Sequence, residues 1–201
     1  MILEPKAGNL SWGWKLKIRV FFMVAILMFS FPPTVWGDNE VYYISTGAGF
    51  LFYNDNIDEK TCLDYAFDGE FSFGRYLYEN MALELVAGYI HDGHKRSAIR
   101  AYSLGLAAVW NYPLSQKTRL FAGGGIAYYY SEFDGYIKGI RTVDDDNRLG
   151  TNIFAGAEFD FGSRLFGRFQ CGYRFIKNLR FDHKTLDPSG FSIIMKAGFR
   201  F

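Results

Sequence analysis

The segment FSIIMKAGFRF, residues 191–201, alternates between two kinds of side chain. Every second position is apolar, and the positions between them include the cations Lys196 and Arg200. A repeat of two residues indicates a β-strand. In a soluble sandwich the apolar face would pack into a core, whereas in a membrane barrel it would face lipid and the cations would face the lumen. The apolar positions are Phe191, Ile193, Met195, Ala197, Phe199 and Phe201.

The composition favours an all-β protein with one domain. The chain has 201 residues, of which 21 are Phe, 14 are Tyr and 22 are Gly, whereas 5 are Pro. Aromatic residues of this kind are enriched in strands. The 22 basic and 21 acidic residues give a net charge of +1, so we expect no bulk attraction to nucleic acid.

The first 37 residues are typical of a secretory signal peptide. A basic segment precedes the apolar run VFFMVAILMFSF, residues 20–31, and we place the cleavage site after Gly37. The apolar run is shorter than the roughly 20 residues of a spanning helix, and a retained membrane anchor is the alternative. We therefore predict a signal peptide over 1–37 and one mature domain over 38–201. The basic residues are Lys6, Lys15, Lys17 and Arg19.

Eight alternating segments follow residue 38, and the connections between them are short and long in turn. No later segment resembles a spanning helix, so a membrane location would require a closed barrel, in which every backbone group is hydrogen-bonded. Short periplasmic turns that alternate with long external loops are typical of an up-and-down transmembrane barrel. The pattern therefore predicts an all-β, eight-stranded antiparallel barrel with four external loops. We expect short connections near 79–81, 113–117 and 162–164, and long ones at 55–65, 91–100, 132–148 and 177–190.

The polar faces of the predicted strands carry equal numbers of acids and bases. An eight-stranded barrel has an interior just wide enough for side chains to fill. An unpaired charge in such a space is costly. The equal numbers therefore predict a lumen filled by salt bridges, with no open pore. The residues of this predicted charge network are Asp68, Glu70, Glu84, Arg119, Glu158, Asp160, Arg168, Arg174, Lys196 and Arg200.

Glycines on the polar faces and aromatic residues on the apolar faces complete the barrel pattern. We expect the glycines to make room for long charged side chains and to permit curvature. We expect the aromatic residues to form girdles near the strand ends. The glycines are Gly47, Gly49, Gly74, Gly88, Gly105, Gly123, Gly125, Gly156, Gly172 and Gly198. The aromatic residues are Trp110, Tyr128, Tyr130, Phe161, Phe199 and Phe201.

The chain resembles the OmpA-like and OmpX-like family of small outer-membrane β-barrels over residues 38–201. The segments FAGGGIAYYY, GTNIFAGAEFDF, FQCGYRFI and FSIIMKAGFRF carry the resemblance. It implies a location in the outer membrane of a Gram-negative envelope, and a non-enzymatic role in envelope structure or surface interaction through the loops. It also implies that the barrel-assembly machinery recognises the last strand. The residues that match this assembly signal are Ile193, Met195, Ala197, Phe199 and Phe201.

Two other functions remain as alternatives. A lipid A deacylase would need a serine nucleophile, a histidine base and an acid at the external rim. The histidines, His91, His94 and His183, lie in predicted loops, and the strand that carries Ser131 and Glu132 lacks a histidine. A soluble lipocalin-like barrel that binds a ligand would need the charged faces to point outward. Conduction of small solutes along a narrow path through the lumen is a further alternative.

The loops supply the remaining candidate contacts. Lys95, Arg96 and Arg100 are candidate contacts for lipopolysaccharide phosphates. The run 144–146 is predicted to be a solvated acidic turn, because it lacks the spacing of a calcium loop. We expect free thiols at Cys62 and Cys171, no cofactor, no metal and a monomer. The expected partners are outer-membrane lipid, lipopolysaccharide and the assembly machinery.

Overall fold

A computed structural model of the chain describes residues 42–54, 65–94, 97–137, 140–181 and 184–201. The predicted signal peptide and Cys62 therefore lie outside the described residues. Ten β-strands are present in the described part of the chain. They are β1 (Tyr42–Tyr53), β2 (Tyr65–Tyr78), β3 (Met81–His94), β4 (Ser97–Pro113), β5 (Thr118–Ile137), β6 (Ile140–Asp160), β7 (Leu165–Ile176), β8 (Leu179–Phe181), β9 (Lys184–Leu186) and β10 (Gly190–Arg200).

Eight of these strands form a closed antiparallel barrel in the order β1-β10-β7-β6-β5-β4-β3-β2. The barrel closes where β1 pairs with β10, from Tyr43 opposite Arg200 to Tyr53 opposite Gly190. Strands β8 and β9 form a separate two-stranded hairpin. The eight-stranded antiparallel barrel predicted from the sequence is confirmed. No helix among the described residues is long and apolar enough to cross a membrane.

The last barrel strand, β10, has its apolar face on the outside. Met195 is 67% exposed, whereas its neighbours Ile194 and Lys196 are 0% and 5% exposed. The other barrel strands follow the same alternation, with exposed apolar side chains outside and buried side chains inside. Cys171, for example, lies on the outer face of β7, as the alternation predicts. The exposed wall is therefore apolar, and eight of the ten charged residues predicted to line the lumen are buried, Arg119 and Asp160 being partly exposed.

Three of the predicted long connections are wrong in extent. Residues 91–100 belong mostly to β3 and β4, which run to His94 and begin at Ser97. Residues 132–148 likewise extend β5 and β6, and the connection 177–190 contains the β8–β9 hairpin. The apolar alternation stops where both faces of the sheet become polar, but the hydrogen-bonded pairing continues beyond that point. We call this end of the barrel the loop end and the opposite end the turn end.

Interior glycines make room for aromatic rings as well as for charged side chains. A Cβ atom at Gly74 would collide with the ring of Tyr43, and one at Gly198 with the ring of Phe166. At Gly47 an added Cβ would lie 2.5 Å from Cγ of Lys196. The prediction that glycines serve charged side chains therefore fits Gly47, but at the other two positions an aromatic ring occupies the space.

Candidate functional site

The lumen brings the ten predicted charged residues into two groups. The turn-end cluster consists of Glu84, Arg119, Glu158, Asp160, Arg168 and Arg200. The loop-end cluster consists of Asp68, Glu70, Arg174 and Lys196. The first group contains three acids and three bases, and the second contains two of each. Each cluster is therefore neutral by itself when all its groups are ionised.

The turn-end cluster is a chain of shared carboxylates. Arg168 lies between Glu84 and Glu158, with Nη1 and Nε each 2.5 Å from a carboxylate oxygen. Arg200 Nη2 contacts the other oxygen of Glu158 at 2.5 Å, and its Nη1 contacts Asp160 at 2.7 Å. Arg119 contacts Asp160 at 2.9 Å and Glu158 at 3.7 Å. Each carboxylate therefore contacts at least one guanidinium.

Aromatic rings surround the arginines of this cluster. The guanidinium carbon of Arg168 lies 4.9 Å from the ring centroid of Tyr43, 5.2 Å from that of Phe121 and 5.1 Å from that of Phe166. The hydroxyl group of Tyr43 also donates a hydrogen bond of 2.5 Å to Glu84. Cations are attracted to ring faces within about 6 Å, most strongly where water is excluded. The rings and carboxylates together hold Arg168 in place.

The loop-end cluster depends on fewer contacts. Arg174 Nη2 lies 2.6 Å from Asp68 Oδ2 and 2.6 Å from Glu70 Oε1. Lys196 Nζ contacts the other oxygen of Glu70 at 2.5 Å, and it lies 3.5 Å from Ser72 Oγ. All four charged side chains are nearly fully buried. One arginine thus neutralises two carboxylates with the help of one lysine.

Apolar side chains close the lumen above the loop-end cluster. These side chains form an apolar layer, and Leu179 and Pro188 from the segment between β7 and β10 cover it. The space left between the layer and this cover is about 10 Å³. A space of this volume is about the size of one water-probe sphere. The buried residues of the layer are Leu51, Ala66, Ile90, Ala101, Tyr129 and Ile176.

The candidate lipopolysaccharide contact is described in part. Lys95 and Arg96 lie outside the described residues. Arg100 is exposed on the outer face of β4, opposite His91 of β3 and Glu132 of β5. Tyr102 lies two residues further along β4, towards the turn end. Its ring centroid is 5.3 Å from that of Tyr89 and 6.5 Å from that of Tyr130. Arg100 therefore lies directly above a row of tyrosines.

The groups needed for acyl hydrolysis do not converge among the side chains that the structure describes. Ser131 is buried inside the barrel, and Glu132 points to the opposite face of β5. His91 lies on the outer face of β3, within the strand and not in a loop as predicted, and its ring stacks 6.1 Å from that of Tyr89. The side chains of His94 and His183 lie outside the described part. No serine, histidine and acid meet at the described rim.

The acidic run 144–146 is not the turn that the sequence predicted. It lies within β6, where alternate residues point to opposite faces. Asp146 forms a salt bridge of 2.6 Å with Arg148 on the same face. The structure contains no metal-binding group of His, Cys, Asp or Glu side chains within its described residues. The three carboxylates therefore do not converge on one point.

Four residues of the predicted assembly signal lie on the outer face of β10, and the fifth, Phe201, directly follows this strand. Phe201 stacks on Tyr42 of β1 with 6.2 Å between ring centroids, and on Phe199 at 6.5 Å. The backbones of Tyr42 and Phe201 also exchange two hydrogen bonds of 3.1 and 2.9 Å. The end of the last strand thus closes the barrel against the beginning of the first.

Sequence reasoning missed the aromatic residues of the lumen and one arginine. Tyr43, Phe121 and Phe166 were not predicted as parts of the charge network, although each alternates with outward apolar residues and could have been found by that signal. Arg75 is 8% exposed although alternation places it on the outer face. It adjoins a register shift between Tyr76 and Tyr78, and its guanidinium lies 5.6 Å from the ring centroid of Tyr42.

The closed eight-stranded barrel and its apolar outer wall define a transmembrane β-barrel protein. The model of the outer membrane protein beta-barrel domain matches residues 21–201. The chain belongs to this family, and its location is the outer membrane. Comparison with curated proteins finds no match.

Solved structures of small outer-membrane proteins have the same fold. Neisserial surface protein A is 14% identical, with a TM-score of 0.57, over 82% of this chain and 98% of that one. The N-terminal barrel domain of Pseudomonas aeruginosa OprF is 15% identical, with a TM-score of 0.54, over 81% of this chain and 98% of that one. Yersinia pestis Ail, in complex with the heparin analogue sucrose octasulfate, is 15% identical, with a TM-score of 0.54, over 81% of this chain and 100% of that one. At these identities the likeness establishes the shared fold.

Proposed function

We propose that the protein is a non-enzymatic outer-membrane barrel with a charge-filled lumen, and that it contributes to envelope structure or surface interaction through its four external loops. The observation that carries this proposal is the division of the ten predicted lumen charges into two neutral clusters, in which all residues except Arg119 and Asp160 are buried. An eight-stranded barrel leaves room only for side chains, so clusters of this kind would occupy the space that an open pore needs.

Burial of this kind favours a permanent plug over a mobile gate. Removing one partner of a buried pair leaves an uncompensated charge, which costs several kcal/mol in measured cases, about 3–5. Opening a continuous path would require several such pairs to separate, and the apolar layer at the loop end would also have to move. The lumen therefore supports a structural role, and the outer surface and loops are left to make the functional contacts.

The partners we propose are outer-membrane lipid and lipopolysaccharide, with the assembly machinery as a partner during biogenesis. Lys95, Arg96 and Arg100 are the proposed contacts to lipopolysaccharide phosphates, and the outer face of β10 is the proposed assembly signal. Ail, a barrel of the same fold, has been crystallised in complex with the heparin analogue sucrose octasulfate, and we propose a polyanion contact for this barrel as well. We propose that the barrel works as a monomer without a cofactor.

This function is tested by incubating the barrel with lipid A in phosphatidylethanolamine nanodiscs, and by measuring lipid A binding and the integrity of its acyl chains. The barrel should bind lipid A, and mass spectrometry should find all its acyl chains intact after incubation. Arg100→Glu should weaken binding several-fold, because it replaces a phosphate-binding cation by a like charge. The matched control is Lys117→Glu, which changes an exposed lysine at the turn end. Loss of an acyl chain would contradict the non-enzymatic assignment, and equal effects of the two variants would contradict the contact at Arg100.

A further inference from the structure

A groove lies on the outer wall where β7 ends and β6 continues. Pairing between these strands stops at Gly150 opposite Ile176, whereas β6 extends from there towards Ile140. The step leaves a groove of about 320 Å³ whose outward side chains are Leu149, Thr151, Phe175 and Lys177. This volume is at the lower end of the range for small-molecule sites, about 300–1,000 Å³.

We place the groove at the level of the outer leaflet, because the long connections of such barrels are external and the groove lies at the loop end. A transmembrane β-strand needs about 9–11 residues, and β7 has 12 residues from the turn end to Ile176. Its last outward side chain, Phe175, therefore reaches the external boundary of the hydrocarbon layer. Lys177 is exposed and comes two residues later, so we expect its ammonium group at the level of the lipid headgroups.

Hydrogen bonds hold the walls of the groove in place. The hydroxyl group of Ser189 accepts a bond from the Ile176 amide and donates one to the Ile176 carbonyl, both at 3.1 Å. The backbone next to Lys177 is held by Arg148, whose Nε donates to the Asn178 carbonyl at 3.0 Å. A site whose shape is fixed before binding loses less entropy when it is occupied.

We propose that the groove binds lipid A of lipopolysaccharide, with an acyl chain against Leu149 and Phe175 and a phosphate on Lys177. Leu149 and Phe175 are 64% and 49% exposed, and burial of such apolar surface against an acyl chain is favourable. The lysine supplies the complementary charge at the end of the apolar strip. Lipopolysaccharide is the lipid of the leaflet that this end of the barrel faces. This inference rests on the proposed lipopolysaccharide contact and adds a second, separate site.

The test uses the full mature barrel in phosphatidylethanolamine nanodiscs with a graded fraction of lipid A, and native mass spectrometry counts bound lipid A. Lys177→Glu should weaken binding about tenfold, since a charge-assisted contact becomes repulsive. Thr151→Trp should weaken it similarly by filling the groove. The matched controls are Lys117→Glu at the opposite rim and Ala155→Trp, which lies on the outer face of the same strand but below the groove.

The outcomes separate this inference from the proposed function. Weakening by Lys177→Glu and Thr151→Trp, with both controls unchanged, supports the groove. If Arg100→Glu weakens binding but the two groove variants do not, the loop contact stands and the groove is wrong. If the wild-type barrel shows no preference for lipid A over phosphatidylethanolamine, both are wrong. A mobility shift between unboiled and boiled samples on a gel verifies that each variant is folded.

Discussion

The two charge clusters of the lumen are both neutral, but they distribute their contacts differently. In the turn-end cluster, Glu158 contacts three arginines. In the loop-end cluster, Arg174 contacts both carboxylates, and it is the cation that contacts Asp68. Two clusters with the same net charge therefore need not tolerate the loss of a charged residue equally. A carboxylate that contacts several cations can lose one of them, as Glu158 can lose Arg119. A buried cation that lies between two carboxylates cannot be removed without leaving one of them unpaired: Glu84 depends on Arg168 in the turn-end cluster, and Asp68 depends on Arg174 in the loop-end cluster.

The surroundings of the clusters differ as well. Aromatic rings hold the arginines of the turn-end cluster, and its edge is accessible from the turn end, where the Arg119 side chain is 29% exposed. The loop-end cluster is covered by the apolar layer beneath Leu179 and Pro188. Position within a cluster should therefore matter more than the sign of the charge that is removed.

The largest effect is expected for Arg168→Ala. The change leaves Glu84 and Glu158 facing the gap and removes the guanidinium from between three rings. We expect the free energy of unfolding to fall by about 3–5 kcal/mol, because a buried pair is broken. Urea unfolding of the wild type and the variant in lipid vesicles measures this difference in the free energy of unfolding.

Arg119→Ala is the control for Arg168→Ala within the same cluster. Its side chain is partly exposed, and the carboxylates that it contacts keep Arg200. We expect a loss below about 1 kcal/mol, the usual range for accessible pairs. Equal losses for the two arginines would contradict the role of burial in the comparison.

A second experiment asks whether neutrality belongs to each cluster or to the lumen as a whole. Arg174→Met should lower the free energy of unfolding by about 3 kcal/mol, because it leaves Asp68 without the cation that contacts it. Adding Asp68→Asn restores neutrality within the cluster and should recover about 1 kcal/mol or more through the coupling of neighbouring sites.

The control for this recovery is Arg174→Met combined with Asp160→Asn. That double variant has the same net charge, but the second change lies in the turn-end cluster. Its stability should be no higher than that of Arg174→Met alone, since distant sites add independently. Equal recovery by both acids would show that only the total charge of the lumen counts.

The smallest of these effects concerns the glycines that accommodate the rings. Gly74→Ala would force the ring of Tyr43 away from its position above β2. We expect a loss of about 1–3 kcal/mol, typical of overpacking. Gly162→Ala is the control, because nothing lies within 4 Å of its added Cβ. Unfolding curves that shift equally for both variants would show that the Tyr43 ring moves freely.

The strands could be predicted from the sequence because one face of each contacts lipid and the other the lumen. That difference produced the alternation of FSIIMKAGFRF and of the other seven strands. Beyond the membrane both faces are polar, so β5 and β6 looked like a loop although their pairing extends to Ile137 opposite Ile140. Local irregularity was also invisible, as at Arg75, where a register shift accompanies burial of an outward position.

The charged positions could be predicted, but their partners could not. Arg168 and Glu84 are 84 residues apart in sequence and meet across the lumen. Such a contact depends on the stagger between strands, which alternation within one strand does not encode. Equal numbers of acids and bases therefore indicated pairing, while the division into two separately neutral clusters required the structure.

Conductance of the purified barrel in planar lipid bilayers tests the closed lumen most directly. We expect no steady current in symmetric salt solution at moderate voltage, in a membrane where an added general porin gives normal current steps. Both clusters and the apolar layer at the loop end would have to separate before ions could pass. Steady current steps that scale with salt concentration, produced by the wild-type barrel alone, would contradict the charge-filled lumen.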